Sequence, residues 1–206
     1  MLFSCDRTGF PLVQIPGTAL RLHLLPVSKV QFERYLAEPG AVGDDWYSAV
    51  LAVNPRASYR AAGDADRERL LLTGILPDEA VHFARWLGPG FDLPTADEWR
   101  RGYCALSSCY TWQAELDRAL AQAAPAAREL VGTLRRLLNP APLHQLALME
   151  GGVLEWVRDG ARWAGYGKPR PACYEVICEP LSCPPVTPMR AAERLPFFGF
   201  RAVKRG

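Results

Sequence analysis

The chain has 206 residues, enough for one domain of ordinary size with an insertion. Hydrophobic residues make up 49% of the chain and charged residues 22%, which is the composition of a folded globular protein. The 24 basic and 22 acidic side chains leave a net charge of +2, too small for a dedicated nucleic-acid or membrane-surface binder. No apolar run approaches the roughly 20 residues of a membrane-spanning helix, so we expect no membrane insertion.

The chain shows no sign of targeting or of division into parts. The first residues lack the charged and apolar regions of a secretion signal, so a cytoplasmic location is the default expectation. No repeat or low-complexity linker interrupts the sequence, and we expect a single domain over residues 1–206. Prolines (18) and glycines (17) are spread throughout, which predicts many turns and few long regular elements.

The first predicted elements are two strands and a helix. Residues 11–23 alternate imperfectly around a Pro-Gly pair and predict a strand, a turn and a second strand. Over residues 27–36 the apolar side chains lie three to four apart, and Ser28 is placed to cap a helix. Residues 37–65 are rich in Gly, Asp, Pro and Ala and predict a long surface excursion.

The clearest helix signals follow that excursion. Pro77 opens an amphipathic segment that Gly88 ends. Thr95 and Glu98 then form a capping box, in which the hydroxyl accepts from a backbone amide and the carboxylate reaches back to another. Because the capping box fixes the start of the helix, we expect Trp99 to face the core.

The last third of the chain changes character twice. Residues 113–138 are rich in Ala, Leu, Arg and Glu and predict two helical segments, which either pack on their own domain or bind a partner. From residue 153 to residue 206 few helix signals remain, and β-structure is expected.

Six segments resemble, in order, the motifs of the formylglycine-generating-enzyme/sulfatase-modifying-factor family. They are residues 27–32, 78–87, 93–99, 110–112, 151–157 and 199–201. The most diagnostic is Leu-Pro-Thr-Ala-Asp-Glu-Trp at 93–99, which is close to the family's Leu-Pro-Thr-Glu-Ala-Glu-Trp. The resemblance covers residues 12–203. It implies an α+β fold, the family's variant of the C-type lectin fold, here with a helical insertion around 113–138.

The sequence departs from the family at a calcium ligand. In the family, the asparagine of the Gly-Asn-Val-Trp-Glu-Trp motif helps to hold a calcium ion. That position is Gly152 here, and the motif's first tryptophan is Leu154. Glycine offers no side-chain oxygen, which argues against that calcium site.

The resemblance also implies an enzymatic alternative. Catalytic members oxidise a substrate cysteine with O₂ and a copper ion held by two cysteines that have four residues between them. Cys173 and Cys178 have this spacing, and thiolates suit Cu(I). The intervening Tyr-Glu-Val-Ile differs from the family's polar, arginine-bearing sequence. Under the oxidase hypothesis these two cysteines are catalytic and copper is the cofactor; otherwise we expect neither a catalytic residue nor a cofactor.

The remaining cysteines leave further alternatives open. Cys104, Cys109, Cys173 and Cys178 have spacings at the permissive edge for a zinc site. The resemblance places Cys183 where some members have a structural cysteine, with Cys104 as its candidate partner. The simplest interpretation is that these thiols act as small hydrophobic side chains.

The favoured interpretation is a non-catalytic protein, most like the variable protein of a diversity-generating retroelement in bacteria and phages. In those proteins, residues just before the terminal Gly-Phe-Arg strand form an exposed ligand-binding face on a rigid scaffold. Residues 163–198 depart from the family consensus here, while both flanks keep it. We expect large side chains in this segment to be exposed and to bind the ligand. The predicted binding residues are Tyr166, Lys168, Arg170, Tyr174, Glu175, Val176, Ile177, Glu179, Leu181 and Ser182.

The sequence also supports expectations about the partner and about the residues of the core. The ligand is expected to be an unidentified protein or a cell-surface molecule, not a nucleic acid, with display on a cell surface or phage particle as an alternative to the cytoplasm. A third hypothesis is an interaction module of a bacterial conflict system that uses the helices of 113–138. In the core, Trp99 and Trp156 should be buried, and Phe200 should fill the interior behind a final strand that closes the sheet.

Overall fold

The computed structural model describes most of both ends and part of the middle of the chain. The described residues are 2–38, 71–108, 118, 121–123, 125, 128–129, 154–166, 194 and 198–206. Within them the elements are β1 (Phe3–Cys5), β2 (Pro11–Gln14), β3 (Arg21–His23), α1 (Lys29–Leu36), α2 (Pro77–Leu87), β4 (Phe91–Asp92), α3 (Ala96–Ser108), β5 (Leu154–Asp159), β6 (Arg162–Tyr166), β7 (Phe198–Gly199) and β8 (Val203–Lys204). The mixture of helices and sheets confirms the predicted α+β class.

The first sheet has five antiparallel strands in the order β1-β2-β3-β8-β4. The strand–turn–strand predicted for residues 11–23 is confirmed as β2 and β3, which pair with each other. Strand β8 lies between two strands that precede it in the chain, since Val203 is opposite both Leu22 and Asp92. The C-terminal residues therefore join two parts of the chain that are far apart in sequence.

The second sheet has three strands in the order β6-β5-β7. Strand β5 pairs antiparallel with β6 and parallel with β7. The run from Phe198 to Lys204 thus contributes β7 to this sheet and β8 to the other. We expected one closing strand at 199–201; instead the run divides between the two sheets, and Phe200 lies in the core between them.

Helices α1 and α3 each begin with a capping box, formed by a hydroxyl side chain and by the amide or carboxylate side chain three residues later. In α1, the Ser28 hydroxyl accepts from the Gln31 amide, and the Gln31 side chain accepts from the Ser28 amide. Before α3, the Thr95 hydroxyl accepts from the Glu98 amide, and Glu98 accepts from the Thr95 amide at 2.8 Å. Both predicted helix starts are confirmed.

Helix α2 also follows the sequence signals closely. Pro77 occupies its first turn, where a missing N–H costs nothing. The Glu79 carboxylate accepts from the Leu76 amide at 2.9 Å. Gly88 ends the helix with φ 131°, a conformation that residues with a Cβ rarely adopt. The apolar face of α2 packs against α1 and β7.

The core consists of two adjoining clusters, each built around a fully buried tryptophan. Trp99 lies in the cluster between α3, the first three strands and β6. Trp156 lies in the cluster formed with α1, α2 and β7, together with Phe200. The predictions that these three side chains are buried are confirmed.

The predicted excursion at 37–65 and the predicted insertion at 113–138 fall largely outside the described residues. Of the described residues between 113 and 138, all but Ala123 are helical. Ala123 itself is buried in the Trp99 cluster. This contact favours the interpretation in which the insertion packs on its own domain.

Candidate functional site

The predicted ligand-binding segment begins and ends at the same end of the second sheet. Strand β6 ends at Tyr166, which is opposite Glu155 of β5, and Gly199 of β7 is opposite Glu155 on the other side. The two points are separated by two strand spacings, roughly 10 Å. Residues 167–197, 31 in all, connect them and are called the crossing segment below.

Behind this end of the sheet lies a buried ion pair. Arg201 donates to both carboxylate oxygens of Glu155, from Nε at 2.7 Å and from Nη2 at 2.8 Å. Both side chains are fully buried. The indole Nε1 of Trp99 donates to the same carboxylate at 2.9 Å, so Glu155 receives three hydrogen bonds. The ion pair and the added hydrogen bond offset part of the cost of removing the carboxylate from water.

The same arginine joins the two sheets. Its Nη1 donates to the backbone carbonyls of His23 at 3.1 Å and Leu24 at 3.0 Å, at the end of β3. Three of the family-like motifs, residues 93–99, 151–157 and 199–201, therefore meet at one polar contact. The sequence located the motifs but did not predict that their charged members pair.

Tyr166 corrects the prediction that it is exposed. The side chain is 2% exposed, and its ring lies 5.5 Å from that of Trp99. Its hydroxyl accepts a 2.8 Å hydrogen bond from Arg100, whose guanidinium also lies over the ring. The reason is the register of β6: Tyr166 and Ala164 point to the face of the sheet that α3 covers, so the last residue of the strand packs inward.

On the opposite face, Phe198 of β7 packs so closely on Gly165 of β6 that position 165 has no room for a side chain. The Phe198 ring lies directly over Gly165, where an added Cβ would be 2.3 Å from two ring carbons. Phe198 also packs on Trp156, with ring centroids 4.3 Å apart. Trp156 in turn donates to the Ile75 carbonyl at 2.6 Å. Only glycine at position 165 allows this approach.

The other predicted site residues lie outside the described part of the chain. These are Lys168, Arg170, Tyr174, Glu175, Val176, Ile177, Glu179, Leu181 and Ser182, together with Gly152 and the cysteines at 109, 173, 178 and 183. Cys104 is exposed on α3. Within the described residues, no group of three or more His, Cys, Asp or Glu side chains could hold a metal ion.

A second buried polar cluster was not predicted from the sequence. Asp6 follows β1, and its carboxylate accepts from the Thr8 and Phe10 amides and from the Thr8 hydroxyl. Its other oxygen lies 3.0 Å from His23 Nε2 and 3.4 Å from the side-chain Nε2 of Gln31. Burial alone would raise the pKa of Asp6, but the hydrogen bonds and charge of its partners hold it below the ordinary value. This carboxylate ties the first turn to β3 and α1.

A small cavity of about 180 Å³ lies at the far end of the second sheet, lined by residues 95–97 and 158–160. The Arg158 guanidinium lies 3.4 Å from Asp92 and 4.9 Å from the centre of the Trp163 ring. Arg158 and Asp159 end β5, whereas Glu155 lies near its start, so the cavity is at the opposite end of the sheet from the crossing segment.

The fold and the buried contacts define a mixed α+β domain whose two sheets are joined through Glu155 and Arg201. A comparison with family models identifies it: the model of the sulfatase-modifying factor enzyme 1-like domain, the FGE-sulfatase family, matches residues 4–205. The chain belongs to this family, which confirms the family resemblance found in its motifs.

Comparisons with individual proteins add one relative. The chain is 28% identical over 167 residues to a serine/threonine-protein kinase, pkn1, of Chlamydia caviae. The match covers 78% of this chain and 25% of that kinase, so the chain spans about a quarter of the relative's length. No solved structure matches the chain. No helix among the described residues is long and apolar enough to cross a membrane.

Proposed function

We propose that the chain is a non-catalytic ligand-binding module, resembling the variable protein of a diversity-generating retroelement and built on a C-type-lectin-like scaffold. Its ligand is a protein or cell-surface molecule, bound through the residues predicted between positions 168 and 182. The observation that carries the proposal is the geometry of the crossing segment. A long stretch of divergent sequence leaves and rejoins one end of a sheet at points roughly 10 Å apart.

Contacts among the described residues hold the sheet at the end from which the crossing segment leaves. On one face Arg201 and Trp99 both donate to Glu155, and on the other Phe198 packs on Gly165 and Trp156. Substitutions between 168 and 182 change none of the residues that make these contacts. A rigid base that carries a variable segment is the arrangement by which scaffold proteins present binding residues.

The kinase relative supports a binding role in a different way. The chain contains neither the His-Arg-Asp nor the Asp-Phe-Gly triplet of protein-kinase catalytic loops. The proposal therefore takes no kinase activity from this relative. A domain that accompanies a kinase without sharing its catalytic motifs is well suited to bind the molecule to which the kinase responds.

The proposal is tested with two libraries of equal size, displayed on phage and challenged with protease. The first library randomises five predicted binding residues: Lys168, Arg170, Tyr174, Glu175 and Leu181. The matched control randomises five buried residues: Trp156, Gly165, Phe198, Phe200 and Ala202. Exposed substitutions shift stability by within about 0.5 kcal/mol, so most clones of the first library should survive. Few clones of the control library should survive, and equal losses in both would contradict the proposal.

The oxidase alternative is tested on the parent and on Cys173→Ser and Cys178→Ser variants. We expect no stoichiometric Cu(I) binding that depends on these cysteines and no conversion of a Cys-x-Pro-x-Arg peptide by O₂. Turnover of that peptide, lost in both variants, would replace the binding proposal with the oxidase. A near-copy of the DNA for residues 160–203, differing at adenines and lying beside a reverse transcriptase gene, would support the retroelement class directly.

A further inference from the structure

Arg194 lies four residues before β7, and its guanidinium is held against the start of α2. Its Nη1 donates to the Gly74 carbonyl at 2.9 Å and to Glu79 Oε2 at 2.8 Å. Its Nη2 donates to the other Glu79 oxygen, which makes the contact bidentate. The two side chains are only 16% and 15% exposed.

The glutamate of this pair has a second task. Glu79 Oε2 also accepts from the Leu76 amide, the contact that caps α2. The loop before α2 meanwhile holds β7, because the Gly74 amide donates to the Phe198 carbonyl at 2.9 Å. Arg194 and Phe198 are therefore fixed to the same few residues of one loop and helix start.

We propose that Arg194 is a positioning residue, which anchors the returning end of the crossing segment to Glu79 of α2. The departing end is fixed in a similar way, by the contact between Arg100 and the Tyr166 hydroxyl. The crossing segment thus has an arginine anchor at each end, with residues 167–193 between the two anchors. The role of the anchor in ligand binding rests on the function proposed above, whereas the anchor itself rests on the contacts of Arg194.

Trypsin provides a direct probe of the anchor. The protease cleaves after an arginine whose side chain can enter its acidic specificity pocket. A guanidinium held by Glu79 and Gly74 is not free to do so, which should protect the bond after Arg194. Arg190, four residues upstream, serves as an internal reference in the same digest.

The experiment compares cleavage rates after Arg194 in the native parent and in Glu79→Gln and Glu79→Ala variants, by mass spectrometry. We expect cleavage after Arg194 to accelerate about tenfold or more in Glu79→Ala, as the loss of a charge-assisted contact implies. Glu79→Gln should give a smaller acceleration, because it retains an acceptor for the Leu76 amide and for Arg194. The rate after Arg190 should change little in either variant.

Two further variants separate the anchor from a general loss of structure. Glu98→Gln is the matched control, because Glu98 also caps a helix and binds an arginine, and its hydrogen bonds among the described residues go to Thr95 and Arg205 rather than to Arg194. It should leave cleavage after Arg194 unchanged, and cleavage after Arg158 and Arg162 should stay slow in every folded variant. Arg194→Lys keeps the charge without the bidentate contact and should be cleaved after position 194 at an intermediate rate.

Equal cleavage after Arg194 in the parent and in both Glu79 variants would overturn the anchor. The outcome is independent of the library experiment, since protection of Arg194 does not require that the crossing segment bind a ligand. Loss of tolerance in the libraries would remove the binding function and leave the trypsin result standing.

Discussion

Two arginines near the C-terminus make nearly the same bond in different surroundings. Arg201 binds Glu155 through Nε and Nη2 at 2.7 and 2.8 Å, and Arg205 binds Glu98 through the same two atoms at 2.8 and 2.7 Å. Arg201 and Glu155 are fully buried, whereas the Arg205 side chain is 38% exposed. The geometry of the two Arg–Glu contacts is matched, whereas their exposure to solvent differs. Arg205 also donates to Asp92 at 3.2 Å and to the Leu93 carbonyl at 3.1 Å, and Arg201 donates to two backbone carbonyls.

The comparison shows why distance alone does not give the value of an ion pair. Solvent screens the exposed pair and hydrates each partner when the other is removed, so such pairs contribute about 0–1 kcal/mol. A buried partner left alone keeps its charge without solvation, which costs about 3–5 kcal/mol. The buried pair should therefore dominate the stability of the C-terminal run, although both pairs join the same segment to the rest of the fold.

The largest effect should come from Arg201→Ala. The substitution removes two of the three donors to Glu155 described above, and it removes the guanidinium donor of the His23 and Leu24 carbonyls. We expect it to destabilise the fold by about 5 kcal/mol, the upper end of the range for a buried pair. Urea unfolding at neutral pH measures the change. A double variant, Glu155→Leu with Arg201→Met, should be less destabilised, because no charge is then left unpaired. If it unfolds more easily than Arg201→Ala, desolvation is not the cause.

Next in size are the two buried tryptophans. Trp99→Ala and Trp156→Ala should each cost about 3–5 kcal/mol, because both rings are fully buried in well-packed clusters. Trp99→Phe retains most of the ring but removes the Nε1 donor to Glu155, and it should cost about 1–3 kcal/mol. Thermal and urea unfolding measure all three. Unchanged unfolding in both alanine variants would contradict the packing described here.

Arg205→Ala should have a much smaller effect, about 0.2–1 kcal/mol in low salt. The difference from the parent should shrink as ionic strength rises, because the pair is partly exposed to solvent. Urea unfolding with and without added sodium chloride measures this dependence. A loss as large as that of Arg201→Ala would show that exposure does not distinguish the two pairs.

The smallest effect concerns pH. Burial would raise the pKa of Glu98, but the hydrogen bonds and charge of Arg205 and the capping amide hold it below the ordinary value. Because the pKa of Glu98 is lowered by folding, the contribution of its ionised form to stability is complete above the unfolded-state pKa of about 4.3. This contribution is lost as the pH falls through the folded-state pKa. The stability difference between the parent and Arg205→Ala should therefore be constant from pH 7 to 5. At pH values under about 4.3 this difference should decrease. Urea unfolding at several pH values measures it.

The sequence was most informative where the physics is local. The cap at Ser28, the capping box at Thr95, the proline at 77 and the glycine at 88 each act within one helical turn, and all four predictions are confirmed. The pairing of Glu155 with Arg201 has no local signal, since 46 residues separate the partners. Family-like motifs indicated both positions but not the contact between them.

The prediction for Tyr166 was wrong for a related reason. Composition made the segment from 163 to 198 look like one exposed stretch, but its first residues belong to β6, and its last begins β7. If residues 163–166 are taken as a strand, their side chains point alternately to its two faces, and Tyr166 falls on the same face as Ala164. This pattern could have separated the strand residues from the rest of the segment. Asp6 and His23 were missed because their contact, like that of Glu155, depends on the tertiary fold.

The position of β8 has a consequence for how the chain is made. Its two residues fill the gap between β3 and β4, so both of those strands keep an open edge until residues 203 and 204 have left the ribosome. Arg201, which pairs with Glu155, is likewise made after β3, β4 and β5. Open strand edges invite aggregation, and contacts so distant in sequence form slowly. The folding of the described sheets should therefore be completed in one step after the run from Phe198 to Lys204 has emerged, rather than built up strand by strand.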